Sequence, residues 1–143
     1  MELSMKLIKA DILMAEQGIE LYKNNEIKEI KNQAAYHLQQ AAEKLIKIQI
    51  YRSGVTYKNK ALYVHNLQSL ISYVDSLQIE AVIPNFIRKN ALIITDWEVS
   101  GRYDIHFSIK INSLEKCYKE VNNWYVLLKE KGIIEDKDIV VVT

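Results

Sequence analysis

Proline and glycine are scarce in this sequence, and their scarcity limits the folds that the chain can form. Among 143 residues there are one proline and four glycines, whereas turn-rich all-β folds depend on both residues to reverse the chain. Hydrophobic residues make up 49% of the chain and charged residues 26%, which is the composition of a globular domain. A chain of this length ordinarily forms one domain with one core. The sequence therefore predicts a single helical domain.

Apolar residues recur mostly every three or four positions in two long segments, which is the period of an amphipathic helix. The first segment predicts a helix over residues 4–23, ended by Asn24. The second predicts a longer helix over residues 28–52, ended by Ser53 and Gly54. Because the apolar stripe of the second helix includes several alanines, we expect it to pack closely against a neighbouring helix.

Two helices and one extended segment are predicted in the middle of the chain. Leu67, Leu70, Ile71 and Val74 predict a short helix, and another runs from Pro84, a favoured residue in a first helical turn, to about Trp97. After that helix, apolar and polar residues alternate over residues 105–111. A period of two is typical of extended backbone, so we expect a non-helical connection here.

The last helix is predicted over residues 113–130. Asn112 and Glu115 stand at capping-box spacing around its start, and Gly132 follows its end. The predicted fold class is therefore all-α, an antiparallel up-and-down bundle of about five helices.

The bundle is expected to occupy residues 1–132, with a C-terminal tail over residues 133–143. The tail ends in a short β-prone run, Ile-Val-Val-Val-Thr. Two interpretations of this tail stay open, an ordered extension over a neighbouring subunit and an untidy chain end.

Charge and cysteine content exclude several kinds of site. The formal net charge is +1, so a nucleic acid can be held only by a local patch and not by a general basic field. Cys117 is the only cysteine and the three histidines are not at ligand spacing, so neither a disulfide nor a metal site is expected. Without a glycine-rich phosphate loop or a cluster of oxygen ligands, no cofactor is expected.

A row of polar residues on the second helix is a candidate binding surface. Its members follow one another at three- and four-residue spacing, which aligns them on one side of a helix; they are His37, Gln40, Lys44, Lys47 and Tyr51. Two lysines beside an amide and an aromatic ring can hold a phosphate. The alternative is an ordinary solvated face of an amphipathic helix, and this alternative is favoured.

Two further candidates lie outside that helix. His65 comes just before the third helix, where an imidazole often satisfies backbone groups. Arg102 and Tyr103 follow Ser-Gly after the fourth helix, and the guanidinium can bind a carboxylate or phosphate. It can equally brace the loop against Asp96 or Glu98.

Three segments together resemble the successive signatures of the HEPN family. Residues 40–47 fit a Gln-x-x-Glu-Lys-x-x-Lys helix, residues 65–70 fit a His-x-Leu-x-x-Leu helix start, and residues 102–103 are an Arg-Tyr pair before the last helix. Their order and spacing are similar to the family over roughly residues 1–130. The resemblance implies a helical bundle that dimerises through helix faces and often works beside a minimal nucleotidyltransferase.

The resemblance also raises the question of catalysis, because many family members are ribonuclease toxins with an Arg-x(4 to 6)-His pair. Here the nearest candidates, Arg102 and His106, have only three residues between them. An extended strand rises about 3.3 Å per residue, so in an extended stretch Arg102 and His106 would be more than about 10 Å apart.

Three functional hypotheses follow. The favoured one is a binding module whose cleft holds a nucleotide or the partner transferase, lined by Gln40, Lys44, Lys47, His65, Arg102 and Tyr103. The second is a metal-independent endoribonuclease of a toxin-antitoxin system, with His106 as general base and Arg102 stabilising the phosphorane charge. The third is an interaction protein without a ligand pocket.

The expected partners are a second copy of the chain, a minimal nucleotidyltransferase, and a nucleotide or RNA. The homodimer is predicted from the high hydrophobic content and from tyrosines expected on the surface, Tyr51, Tyr57 and Tyr63. No apolar run of membrane-spanning length and no signal-peptide core is visible, so a cytoplasmic protein is expected.

Overall fold

The predicted all-α bundle of five helices is confirmed by a computed structural model that describes residues 2–54, 64–103, 108–137 and 139–141. Two three-residue strands accompany the helices and pair with each other. In chain order the elements are β1 (Glu2–Ser4), α1 (Met5–Asn25), α2 (Lys28–Arg52), α3 (Leu67–Leu77), α4 (Asn85–Tyr103), α5 (Ile111–Glu130) and β2 (Ile139–Val141).

Helix α2 lies at the centre of the bundle and contacts each of the other four helices. Its apolar stripe is fully buried, and so are the alanines beside it. The close packing expected of these alanines is visible against α1, where a Cβ added to Gly18 would lie 3.0 Å from the Cβ of Ala34. The absence of a side chain at Gly18 therefore lets α1 and α2 approach.

Local hydrogen bonds fix several helix ends. The Ser4 hydroxyl accepts from the backbone N–H of Leu7 at 3.2 Å and so caps α1. At the end of α5, Gly132 has a φ of 68°, and the next N–H, of Ile133, donates to the carbonyl of Leu128 at 3.0 Å. This is a Schellman motif, which confirms that Gly132 ends the helix.

Two predicted boundaries are wrong. Helix α4 does not end near Trp97 but continues to Tyr103, because a packed helix tolerates an internal glycine, which costs only about 1 kcal/mol relative to alanine. Helix α5 begins at Ile111 after Lys110, with no side-chain cap, so the capping box of Asn112 and Glu115 does not form.

The extended segment predicted before α5 is described only in part. Residues 108–110 are non-helical, as expected, whereas Ile111 already belongs to α5. Residues 104–107, which include His106, lie outside the described residues.

The two ends of the chain meet in a small antiparallel ribbon. Leu3 pairs with Val140, Glu2 with Val141 and Ser4 with Ile139. The Leu3 side chain is fully buried, which anchors β1 to the bundle. The β-prone run of the tail thus pairs with the N-terminus of its own chain, an arrangement that neither interpretation of the tail included.

Apolar side chains are also exposed on the outer faces of α1 and α4. Met14 on α1 is 50% exposed, and Ile93 and Val99 on α4 are 58% and 60% exposed. Tyr51, expected on the surface, is half-buried, and Tyr57 and Tyr63 lie outside the described residues. None of the helices that the structure describes combines the length and the apolar character needed to cross a lipid bilayer.

We predict that Leu45→Asp unfolds the domain. Leu45 is fully buried on α2, and an unpaired carboxylate there costs several kcal/mol, comparable with a total stability of about 5–15 kcal/mol. Thermal unfolding followed by circular dichroism measures the effect, with Leu13→Asp at an exposed position of α1 as the control. An unchanged melting temperature for Leu45→Asp would show that the position does not belong to the core.

Candidate functional site

The polar residues expected on one face of α2 divide between two separate charge networks. One network faces α1 and contains His37 and Lys44. The other contains Glu43 and Lys47 and faces the start of α3 and the C-terminal half of α4. The division arises because α2 is surrounded by other helices, so its polar residues contact different neighbours.

The first network is centred on Asp11 of α1, which is 8% exposed. Its two carboxylate oxygens contact different partners on α2, the Nδ1 atom of His37 at 2.9 Å and the Nζ atom of Lys44 at 2.6 Å. The Lys44 side chain is only 18% exposed. The interpretation of a solvated helix face is therefore wrong for Lys44, whose ammonium is paired with a buried carboxylate.

The second network is centred on Glu43, which is 3% exposed. Its Oε1 atom accepts from Nδ1 of His65 at 3.1 Å and from Nε2 of Gln39 at 3.4 Å, and its Oε2 atom lies 3.4 Å from Nζ of Lys47. Three partners therefore stabilise one buried carboxylate. Gln40, the remaining candidate on this helix, donates to Oε1 of Gln39 at 2.7 Å.

Lys47 is fully buried, so the solvated-face interpretation is wrong here as well. Removal from water lowers the pKa of its ammonium, whereas the negative charges of Glu43 and Glu98 oppose this effect. The side chain lies beneath the surface as the counter-charge of Glu43. Its ammonium therefore helps to hold that carboxylate in place.

His65 differs from the rest of the network because its side chain is 58% exposed. When the neutral ring donates from Nδ1 to Glu43, the free lone pair is on Nε2. The predicted helix start at this position is confirmed, but the cap of α3 is Asn66, whose side chain accepts from the N–H of Ser69 at 3.1 Å. His65 is therefore available for contacts other than capping.

The start of α3 is fixed relative to α2 and α4 by two hydrogen bonds. The amide of Gln39 donates to the carbonyl oxygen of His65 at 3.4 Å, and the N–H of Leu67 donates to the hydroxyl of Thr95 at 2.9 Å. These contacts hold the imidazole between Glu43 and α4. Glu98, one turn beyond Thr95, completes the cluster: one ligand atom from each of Glu43, His65 and Glu98 lies within 4.8 Å of the others.

The sequence had predicted a loop for Arg102 and Tyr103. In the structure both residues are in the last turn of α4. Arg102 follows Glu98 by four residues, which places the two positions on one face of the helix. Arg102 itself is helical, and the separation expected between Arg102 and His106 lies outside the described residues. The side chains of Arg102 and Tyr103 and all of His106 lie outside the described residues.

The sequence did not indicate that Glu43 and Glu98 belong to the site. The spacing of Gln39, Glu43 and Lys47 at four-residue intervals was the available signal, because it predicts ion-pair contacts along one face of a helix. No comparable signal links Glu43 with Glu98 or His65, since only the tertiary fold brings these elements together.

A comparison with known protein families identifies the HEPN domain, whose family model matches residues 9–131. The match covers nearly the whole bundle, from α1 to the end of α5. Neither a curated protein nor a solved structure matches the chain.

We predict strong coupling between Glu43 and Lys47 in the free energy of unfolding. Lys47→Met or Glu43→Gln alone removes one charge of the buried ion pair and costs about 3–5 kcal/mol, whereas the double variant loses much less than the sum. Urea unfolding measures all three variants. The exposed pair Glu20 and Lys23 on α1 is the matched control, with a coupling of about 0–1 kcal/mol. Additive losses at Glu43 and Lys47 would contradict a buried ion pair.

Proposed function

The chain belongs to the HEPN family, and from this premise we propose that it is a nucleotide- or RNA-associated binding module. The observation that carries the proposal is the exposed imidazole of His65, held by the buried carboxylate of Glu43. A fixed imidazole at the surface can donate a hydrogen bond to a phosphate when protonated or accept one from a ribose hydroxyl when neutral.

The proposed ligand face lies where the start of α3 meets the last turns of α4. His65 and Arg102 are the residues proposed to contact the ligand, because Arg102 follows Glu98 by one helical turn and Glu98 is beside His65. Tyr103, the next residue, is proposed to offer a ring for stacking on a base. With a net charge of +1, the protein depends on such local contacts for anion binding.

The other three predicted ligand residues do not contact the ligand directly in this arrangement. Lys47 is proposed to position Glu43, since its ammonium is buried against that carboxylate. Lys44 can contact a ligand only by giving up its 2.6 Å contact with Asp11. Gln40 is proposed to support the site through its hydrogen bond to Gln39.

A second candidate function is a metal-independent endoribonuclease. The observation that favours it is again the pairing of an exposed imidazole with a buried carboxylate. A histidine that acts as a general base is typically held in one tautomer by such a carboxylate. In this alternative, Arg102 stabilises the charge on the phosphorane and either His106 or His65 takes the proton of the ribose 2′-hydroxyl.

A homodimer is proposed to form through the outer face of α4. Leu92, Ile93 and Val99 are each 57–60% exposed on this face. Beside them, a groove of about 330 Å³ runs between α4 and α5; apolar residues of α4, including Phe86 and Trp97, line one part of it, and polar residues, including Asn112 and Lys116, line the rest. Exposed apolar surface of this kind is typical of protein interfaces. A minimal nucleotidyltransferase remains the proposed further partner, as the family resemblance implies.

We predict that Arg102→Ala weakens binding of a fluorescein-labelled short RNA by about 1.5–3 kcal/mol, the free energy of a charge-assisted hydrogen bond. His106→Ala is expected to change the affinity little. Fluorescence anisotropy measures both, and Arg88→Ala is the control, because Arg88 is on the same helix but forms a two-point ion pair with Asp75.

Measurements of stability and of RNA cleavage on the same variants give outcomes that would reject the binding module. A lower melting temperature of Arg102→Ala with intact RNA affinity would mean that Arg102 only stabilises the last turns of α4 through Asp96 or Glu98. Cleavage of total cellular RNA that is abolished equally by Arg102→Ala and His106→Ala would establish the endoribonuclease. Cleavage lost with His65→Ala but retained with His106→Ala would assign the general base to His65.

We further predict that Ile93→Asp converts a homodimer into a folded monomer, because the substitution places a carboxylate in the proposed apolar interface. Light scattering at micromolar concentration measures the mass, and circular dichroism checks that the fold is intact. Met14→Asp, at a similarly exposed position of α1, is expected to stay dimeric. A wild-type protein of monomer mass would reject the dimer, and a monomeric Met14→Asp would move the interface to α1.

A further inference from the structure

We propose that Glu43, His65 and Glu98 form a binding site for a divalent transition-metal ion of the zinc type. The three residues come from α2, from the position before the cap of α3, and from α4. One ligand atom from each, an imidazole nitrogen or a carboxylate oxygen, lies within 4.8 Å of the other two. The proposal requires only these side chains and does not depend on a nucleotide or RNA ligand.

The distance between two of the ligand atoms already fits a shared metal ion. Nδ1 of His65 is 3.1 Å from Oε1 of Glu43. Metal–ligand distances of about 2.0–2.2 Å place neighbouring ligands of a tetrahedral or octahedral ion about 3.0–3.5 Å apart. An ion bound to both atoms can therefore replace the proton that Nδ1 donates to Oε1 in the metal-free protein, the proton passing to solvent, and a modest side-chain movement brings Glu98 to the ion.

The side chains around the proposed ligands hold Glu43 and His65 in place. Lys47 lies 3.4 Å from Oε2 of Glu43, which orients the carboxylate and leaves Oε1 toward His65. Gln39 donates both to this Oε1 atom and to the carbonyl oxygen of His65, each at 3.4 Å. Such outer contacts fix the orientation of ligand side chains and contribute to metal affinity.

The cluster is buried on one side, at Glu43, and open to solvent on the other, at His65. Glu43 is 3% exposed, Glu98 is half-buried and the His65 side chain is 58% exposed. An ion bound here keeps coordination positions toward solvent, which water or a ligand oxygen can fill. The site is therefore accessible without unfolding of the bundle.

The charges of the cluster favour a cation. Glu43 and Glu98 contribute two negative charges, and Lys47 compensates one of them when it is protonated. The network around Asp11 has the same histidine, carboxylate and lysine types, but no second carboxylate of the described part of the chain joins it at this distance. Among the residues that the structure describes, Glu43, His65 and Glu98 are the one group of three histidine, cysteine or acidic side chains that meets at this distance.

The donor set selects the class of metal. One imidazole with two carboxylates suits zinc and neighbouring transition metals, because imidazole nitrogen binds them more strongly than it binds Mg²⁺ or Ca²⁺. Mg²⁺ and Ca²⁺ prefer sites made of oxygen ligands alone. We therefore use Zn²⁺ as the test ion and Co²⁺ as its spectroscopic substitute.

Calorimetric titration of the chelator-treated full chain with Zn²⁺ tests the proposal. The wild type is expected to bind one ion per chain, and His65→Ala and Glu98→Gln are each expected to weaken binding at least about 100-fold. Co²⁺ absorption bands should disappear in the same two variants. His37→Ala is the matched control, since it removes the histidine of the Asp11 network, and it should bind as the wild type does.

The proposal is overturned if the wild type shows no saturable binding, or if binding survives both His65→Ala and Glu98→Gln. Binding lost only with His37→Ala would assign the ion to the Asp11 network and also overturn it. Each variant's circular dichroism spectrum must match that of the wild type, and Glu98→Gln serves because Glu98 is only half-buried. RNA binding that persists in chelator would leave the proposed function intact even if no metal binds.

Discussion

The arrangement of the site depends on the burial of Glu43 and Lys47, one turn apart in the central helix. Each charge loses several kcal/mol of hydration on burial, and their mutual attraction offsets this loss only when further hydrogen bonds satisfy the remaining atoms. His65 and Gln39 supply these bonds to Glu43. The requirement links α2 to the start of α3, and the hydroxyl of Thr95 then links α3 to α4. The same carboxylate that stabilises the bundle therefore holds an imidazole at its surface.

Much of the fold could be predicted because helical periodicity is a local property of the sequence. The bounds of α2 are as predicted, since its apolar stripe is long and Ser53 and Gly54 follow it directly. The end of α4 could not be predicted, because Ser100 and Gly101 favour a stop locally, yet the helix continues to Tyr103. The pairing of β1 with β2 joins the two ends of the chain, a contact that no local pattern indicates.

The sequence identified part of the candidate site, including His65 and Lys47, but not Glu43 or Glu98 and not the arrangement of these residues. The spacing of Lys44 and Lys47 indicates a shared face, yet α2 has helices on all sides, so Lys44 pairs with Asp11 and Lys47 with Glu43. His65 was identified from its place before α3, but its partner, Glu43, lies 22 residues away in the chain. Such contacts depend on how helices pack, which a single sequence does not specify.

The most direct test of this account is the tautomer of His65, measured by long-range ¹H–¹⁵N NMR correlations of the histidine rings in metal-free protein at a pH where the ring is neutral. The account predicts a proton on Nδ1 and a free lone pair on Nε2, because Nδ1 donates to Glu43. Glu43→Gln should remove this preference while the ring of His37 is unchanged. A His65 ring that carries its proton on Nε2, or that exchanges between both forms in the wild type, would contradict the proposed role of Glu43.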